Sequence, residues 1–219
     1  MIAENLVSDS VIPLRTSDSG DEALGMMGDF YVKHLPVVNN TQLLGLLSED
    51  DILNNDVEEA VGSYQLSLPH MRVLSSDHVY EVMRVLADFK LTVVPVVDLQ
   101  GNYTGLITLE DLLQFFASTS SFQDTGSIIV LEVPRRDYSL VEIARIVESE
   151  GSFILSSFIS TQADATIFNV TLKVNSQDIF SILNTFERFE YQIKASFNES
   201  NYQEALKERY DALMSYLNV

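Results

Sequence analysis

Two short stretches of the sequence place a hydroxyl side chain three residues before an aspartate, directly after an apolar run. They are Ser48-Glu49-Asp50-Asp51 and Thr108-Leu109-Glu110-Asp111. A hydroxyl at the start of a helix, with the free backbone N–H groups of the first turn, forms a site for an anion. The same pattern is typical of plain helix capping, and the helix dipole favours an acid in the first turn. The sequence therefore predicts two helix starts, with anion binding and capping as open alternatives.

Both stretches belong to two copies of one unit. Residues 45–53 match residues 105–113 position by position, and 35–38 match 94–97, including a proline inside each apolar run. The offset changes by one residue in the intervening turns, where changes of length are tolerated. Agreement in proline, glycine, hydroxyl and aspartate positions together predicts a tandem repeat.

Each copy reads as strand, helix, strand, hairpin turn, strand and helix. The strands are short and rich in Val, Ile and Leu, which is typical of buried strands. Apolar residues recur at helical spacing after Asp18 in the first copy and after Asp77 in the second. The residues before each helix predict these N-cap candidates: Thr16, Ser17 and Asp18 in the first copy, and Ser75, Ser76 and Asp77 in the second.

The repeated pattern of apolar-Pro-Val-Val, a short turn, then Gly-apolar-apolar-Ser/Thr-x-x-Asp resembles the CBS domain. The resemblance covers about residues 1–118, with repeat one at about 1–59 and repeat two at about 60–118. It implies an α/β (α+β) fold in which the two copies pack as one pseudo-twofold pair, a Bateman module. It also implies adenosyl ligands bound between the copies, and pairs stacked into a disc-like dimer.

Motif positions imply which residues would contact such a ligand. Asp51 and Asp111 would hold a ribose, since a carboxylate accepts hydrogen bonds from two adjacent hydroxyls. Ser48 and Thr108 would face a phosphate or an equivalent group. Three residues before each strand proline would contact the base; they are Val32, Lys33 and His34 in the first copy, and Leu91, Thr92 and Val93 in the second.

An acid precedes each ribose-type aspartate, Asp50 in one copy and Glu110 in the other. A carboxylate beside a phosphate is unfavourable unless a cation intervenes. Free AMP or ATP is therefore less favoured than adenosine, S-adenosylmethionine or a nucleotide chelated by Mg²⁺. A purely structural pair with empty, vestigial sites stays open as an alternative.

A different pattern follows a polar linker at 119–126. Residues 127–198 show strands and helices in the order βαββαβ, the ferredoxin-like split βαβ sandwich. This order resembles an ACT domain, which implies amino-acid binding or edge-to-edge assembly. Its first loop is Pro134-Arg135-Arg136-Asp137 and lacks the glycine that lets a ligand approach the backbone. Dimerisation is therefore at least as well supported, although the two arginines could receive a carboxylate.

The last segment, 199–219, is predicted as a C-terminal helix that docks on the domain or on a partner. Its apolar stripe comprises Ala205, Leu206, Tyr210, Leu213, Met214 and Leu217.

Composition excludes several functional classes. The 219 residues contain no cysteine, so disulfides, thiolate metal sites and cysteine nucleophiles are excluded. The net charge of −19 opposes binding to nucleic acid or anionic lipid. The sequence lacks a signal peptide and an apolar run of about 18 residues, which predicts a cytoplasmic protein without membrane contact.

Sequence motifs typical of enzyme active sites are absent. No Ser-His-Asp arrangement, phosphate loop or dinucleotide fingerprint is present, and the three histidines are scattered without metal-ligand spacing. We therefore expect a non-catalytic regulatory protein with no required cofactor and no metal site. It would sense AMP, ATP, adenosine or S-adenosylmethionine, with or without Mg²⁺, and assemble as a homodimer through the CBS pair, the ACT-like domain or both. The alternative is a structural or interaction homodimer with vestigial sites.

Overall fold

The chain divides into two compact units, Met1–Phe116 and Ala117–Val219. The structure is a computed structural model and describes residues 1–8, 10–68, 70–161 and 166–198. The predicted C-terminal helix at 199–219 lies outside the described residues. Among the helices that are described, none has both the length and the hydropathy to cross a membrane.

The first unit contains the same elements twice. The first copy comprises β1 (Leu14–Arg15), α1 (Gly20–Asp29), β2 (His34–Asn39), β3 (Gln42–Ser48) and α2 (Glu49–Leu53). The second comprises β4 (Val73–Leu74), α3 (Val79–Asp88), β5 (Val93–Val97), β6 (Tyr103–Thr108) and α4 (Leu109–Ala117). Each copy forms a three-stranded sheet, β1-β2-β3 or β4-β5-β6, with a parallel pair followed by an antiparallel hairpin. The tandem repeat is thus confirmed.

The strand register agrees between the two copies, including the position of the register shift in each hairpin. Pro36 pairs with Leu46 and Pro95 pairs with Leu106, and each hairpin shifts register two residues later. Gly105 at the second bulge has a φ of 150°, and a Cβ on it would meet the side chain of Val7. This glycine therefore allows the N-terminal segment to approach the strand closely.

One hydrophobic core serves both copies. β5 is apolar and buried at every position, and β2 is buried from Leu35 to Val38. Leu35 and Leu46 of the first copy and Val94 and Leu106 of the second belong to one cluster and are fully buried. Because the two sheets share this core, the copies form one folded body rather than two independent ones.

The helix starts differ from the predicted N-caps. The cap of α1 is Ser19, whose Oγ accepts the Glu22 N–H at 3.2 Å, and the cap of α3 is His78. Asp18 and Asp77 instead accept the backbone N–H groups of Arg15 at 2.7 Å and Leu74 at 2.8 Å. These carboxylates close the turn between strand and helix, so each helix begins one residue later.

In its described residues, the second unit contains a four-stranded antiparallel sheet and two helices of nine or ten residues. Its elements are β7 (Ser127–Pro134), α6 (Leu140–Ser149), β8 (Ile154–Thr161), β9 (Ile167–Val174), α7 (Phe180–Arg188) and β10 (Gln192–Phe197). The order of these elements along the chain confirms the predicted βαββαβ order. Within the sheet, the strands lie in the order β10-β7-β9-β8. The segment predicted as a linker contains a short helix, α5 (Ser120–Gln123), where the Thr119 carbonyl accepts two backbone N–H groups.

Candidate ligand site

Asp111 lies in the first turn of α4 and closes a capping box with Thr108. Its Oδ2 accepts the Thr108 backbone N–H at 3.0 Å and the Thr108 hydroxyl at 2.6 Å, while Asp111 N–H donates to Thr108 Oγ1 at 2.9 Å. Thr108 is buried. Strand β6 ends where this helix begins, so the box fixes the carboxylate at the strand–helix junction.

Asp51 makes the equivalent box in the first copy. Its Oδ2 accepts the Ser48 N–H at 3.0 Å, and its own N–H donates to Ser48 Oγ at 3.0 Å. The Ser67 hydroxyl also donates to Oδ2, at 2.9 Å. In the second copy, the described residues outside the capping box donate no hydrogen bond to the Asp111 carboxylate. Capping is therefore realised in both copies, and Asp51 has one further partner within the fold.

A cavity of about 630 Å³ opens beside Asp111. Its volume lies in the range of small-molecule sites. Both copies contribute walls to it: the end of α1 and the segment after it on one side, and the start of α4 on the other. The lining residues are Ser10, Val11, Asp29, Phe30, Tyr31, Val32, Thr92, Thr108, Leu109, Glu110, Asp111, Leu113 and Gln114.

The structure brings together part of the predicted site. Val32, Thr92, Thr108 and Asp111 line this cavity. The other six predicted residues, Ser48, Asp51, Lys33, His34, Leu91 and Val93, are not among its lining residues.

Packing explains where three of these six residues lie. Lys33 is exposed, and its Nζ lies 3.7 Å from a Glu49 carboxylate oxygen. Leu91 and Val93 are buried core residues. The base-contact motif is therefore divided between the surface, the core and the cavity wall.

His34 connects the two copies next to the cavity. The Lys33 N–H donates to Thr92 Oγ1 at 2.9 Å, and the Thr92 N–H donates to His34 Nδ1 at 3.3 Å. Since Nδ1 accepts, the neutral ring carries its proton on Nε2, and the Thr92 hydroxyl donates to Nδ1 at 3.0 Å. Burial lowers the pKa of His34, although the carboxylates of Asp51 and Asp50 act in the opposite direction. A neutral His34 thus fixes Thr92, a residue of the cavity wall.

The cavity wall is acidic. Asp29, Glu110 and Asp111 line it, and no lysine or arginine occurs among its described lining residues. Within the described part of the chain, no group of three or more His, Asp or Glu side chains has an arrangement that could hold a metal ion. The site is therefore suited to hydroxyl-rich ligands of low negative charge, or to anions that bring their own cation.

Of the first-copy residues that line this cavity, sequence reasoning predicted Val32 and missed the others, which are Ser10, Val11, Asp29, Phe30 and Tyr31. Tyr31, in the turn after α1, has a φ of 55°, and the equivalent Lys90 has a φ of 54°. The repeat could have indicated that these turns are equivalent, but not that one of them lies against the other copy's α4. Leu113 and Gln114 were more accessible to prediction, because Gln114 lies one helical turn after Asp111.

The model of the CBS domain family matches residues 3–58 and 67–118, one match for each copy. The chain is thus a member of the CBS-domain proteins, and its first unit is a tandem CBS pair.

Known proteins similar to this chain include the magnesium transporter MgtE of Thermus thermophilus. It is 30% identical over 99 residues, which are 45% of this chain and 21% of MgtE. Inosine-5'-monophosphate dehydrogenase of Korarchaeum cryptofilum is 24% identical over 110 residues, which are 50% of this chain and 23% of that enzyme. The chain therefore spans less than a quarter of the length of these two relatives.

Solved structures of similar fold include a CBS domain pair/ACT domain protein of Thermotoga maritima. It has a TM-score of 0.48 and 21% identity, over 53% of this chain and 96% of that one. CBSX2 in complex with AMP has a TM-score of 0.45 and 24% identity, over 52% of this chain and 95% of its own.

Proposed function

We propose that this chain is a non-catalytic sensor that binds an adenosine-containing ligand in the cavity beside Asp111. The observation that carries the proposal is the composition of the cavity wall. It unites the ribose-type Asp111 and the hydroxyl of Thr108 with Val32 and Thr92, which precede β2 and β5 and come one from each copy. A ligand there contacts both CBS domains at once, so it can favour one arrangement of the pair over another.

The ribose would bind at the outer edge of Asp111. Oδ2 of Asp111 is already an acceptor for Thr108, and the described residues donate no hydrogen bond to Oδ1. Oδ1 can therefore accept from the ribose hydroxyls without breaking the cap. Phe30 and Val32 supply apolar surface for the base.

The acidic side chains of the cavity wall limit the negative charge that a ligand can carry. At an effective dielectric constant of 20, a carboxylate about 5 Å from a phosphate charge contributes roughly 3 kcal/mol of repulsion. Asp29 and Glu110 are both in the wall. Among the adenosyl ligands, adenosine, S-adenosylmethionine and Mg²⁺-chelated ATP are therefore preferred over free AMP or ATP. A Mg²⁺ ion would arrive with the nucleotide.

The remaining parts of the proposal concern assembly. The second unit, which has the strand order of an ACT domain, would assemble the chain into a homodimer or relay ligand binding. The protein would act in the cytoplasm without binding nucleic acid or membranes.

Isothermal titration of the full chain with adenosine, S-adenosylmethionine, AMP, and ATP with and without Mg²⁺ tests ligand binding. We expect one ligand per chain at the Asp111 cavity, and tighter binding of ATP when Mg²⁺ is present. If all five titrations are flat, the sensing proposal fails.

The second candidate is a structural homodimer with vestigial sites. It is favoured by the complete capping boxes, in which both aspartates have partners without any ligand. Flat titrations together with a stable dimer in light scattering would select it.

A further inference from the structure

A continuous set of hydrogen bonds connects the start of α2 in one copy to the start of α4 in the other. At its two ends, the Lys33 carbonyl accepts the Glu49 N–H at 3.0 Å, and the Thr92 carbonyl accepts the Leu109 N–H at 2.9 Å. Between them, the Lys33 N–H donates to Thr92 Oγ1 at 2.9 Å, and the Thr92 N–H donates to His34 Nδ1 at 3.3 Å. We call the contacts among Lys33, His34 and Thr92 the cross-copy bridge.

Thr92 belongs both to this bridge and to the cavity wall. It lines the cavity together with Leu109 and Asp111, and its carbonyl holds the first N–H of the helix that carries Asp111. In the second copy, the position that His34 occupies in the first is Val93, whose side chain accepts no hydrogen bond. The contact that fixes the Thr92 N–H therefore depends on one titratable acceptor, Nδ1 of His34.

The surroundings of His34 determine when its ring is charged. Burial has the largest effect and lowers the pKa of His34 below the usual 6.5, the carboxylates of Asp51 and Asp50 raise it, and the Lys33 ammonium lowers it. The other charged side chains of the adjoining elements are Glu49 at the start of α2 and, beyond Thr92, Glu110 and Asp111 at the start of α4. At pH 7.5 the ring is therefore neutral, and it gains a proton below pH 6.5.

We propose that His34 is a positioning residue of the Asp111 cavity, and that a proton on its ring releases Thr92 and weakens ligand binding. In the imidazolium both ring nitrogens are donors. Nδ1 then cannot accept the Thr92 N–H, which faces another donor, and the Thr92 hydroxyl must turn its hydrogen away from the ring. The effect on binding rests on the proposed function, whereas the release of Thr92 does not.

Titration of the full chain with adenosine at pH 7.5 and 5.5 tests the effect on binding, because adenosine does not change its charge between these values. We expect the affinity of the wild-type chain to fall by about two- to tenfold, since a single proton with a pKa below 6.5 can change it by no more than about tenfold at pH 5.5. Titration of the acids in the cavity wall is shared by all variants, so the comparison between variants isolates His34.

Two substitutions separate the proton from the hydrogen bond. In His34→Asn, the amide oxygen can accept the Thr92 N–H at both pH values, so this fall in affinity should disappear. In His34→Val, which copies the residue of the second copy, no acceptor remains, and binding at pH 7.5 should be weaker than in His34→Asn. The matched control is His78→Asn: His78 Nδ1 also accepts a backbone N–H, that of Tyr80 at 3.2 Å, but His78 does not line the cavity. This control should keep the wild-type pH profile.

NMR titration without ligand tests the release of Thr92 separately. The amide signals of Thr92 and Leu109 should follow the titration of the His34 ring in the wild-type chain, and this titration should be lost in His34→Asn. Amide signals that do not follow His34 would overturn the inference, whatever adenosine does. Equal pH dependence of adenosine binding in wild type and His34→Asn would also overturn it. If the amides follow His34 but adenosine binds at neither pH, the effect on binding falls with the proposed function, and the release of Thr92 is supported.

Discussion

Replacing Asp111 by alanine separates the capping role of this carboxylate from its proposed ligand role. Asp51 provides the matched control, because it makes the same box with Ser48 that Asp111 makes with Thr108. Only Asp111 lines the 630 Å³ cavity. Asp111→Ala should therefore lower both stability and affinity, whereas Asp51→Ala should lower stability alone.

The expected magnitudes follow from the contacts. Loss of a capping side chain costs about 1 kcal/mol, which in a unit of this size lowers Tm by roughly 4 °C. Asp51→Ala should cost somewhat more, since it also leaves Ser67 Oγ without its 2.9 Å acceptor. Hydrogen bonds from ribose hydroxyls to a carboxylate contribute about 1.5–3 kcal/mol, so Asp111→Ala should weaken an adenosyl ligand roughly 10- to 100-fold.

The assay is a pair of measurements on the same three proteins. Thermal unfolding without ligand reports the capping loss, and calorimetric titration with the tightest ligand of the panel reports affinity. Titration is performed well below the lowered Tm, so that all three proteins are folded. The comparison is between the two variants, which share the capping defect.

Two results would refute this reasoning. If Asp51→Ala weakens ligand binding as much as Asp111→Ala does, the ligand does not distinguish the two clefts and the Asp111 cavity is wrongly assigned as the binding site. If neither variant changes the affinity while both lower Tm, the aspartates only cap their helices.

Two further predictions concern stability. Burial places the pKa of His34 below its unfolded value of 6.5, so the unfolded chain takes up more protons and the free energy of unfolding should fall as pH is lowered from 7.5 through 6.5. In urea titrations at pH 7.5 and 5.5, His34→Gln should lose less stability than wild type, and equal losses in the two proteins would contradict the role of His34. The Tyr103 hydroxyl is buried without a hydrogen-bond partner among the described residues, so Tyr103→Phe should leave the free energy of unfolding unchanged or raise it by up to about 1 kcal/mol. Tyr64→Phe should lower the free energy of unfolding by about 1–3 kcal/mol, because the Tyr64 hydroxyl donates to the Asp56 carbonyl at 2.6 Å. A destabilised Tyr103→Phe variant would indicate that the Tyr103 hydroxyl has a partner.

The repeat made most of the first unit predictable. Element order, both hairpins and both strand–helix junctions followed from matched positions, because duplicated sequence folds into duplicated local structure. Helix starts were less accessible. Asp18 and Ser19 are both good caps by type, and the choice between them depended on Asp18 accepting the Arg15 N–H. Such short-range competition depends on geometry rather than on residue type.

Only part of the cavity was predictable, for a different physical reason. Thr108 and Asp111 are part of a local motif, and their placement follows from the chain around them. Asp29 and Tyr31 reach the same cavity from the other copy, so their role depends on how the two copies pack. A repeat in one sequence indicates which positions are equivalent, but not which of them meet.

The duplicated fold also explains why the two clefts are not equivalent. Their backbones correspond, but the side chains around them have diverged: the position that His34 occupies in the first copy is occupied by Val93 in the second. On the Asp51 side, Ser67 adds a hydrogen bond to the carboxylate. On the Asp111 side, Val7 packs at Gly105 instead, and the His34–Thr92 link holds one wall of the cavity. A substitution outside the Ser/Thr-x-x-Asp motif can therefore decide which copy of the motif is able to bind. The proposed single occupancy follows from these divergent neighbours, since the motifs themselves are alike.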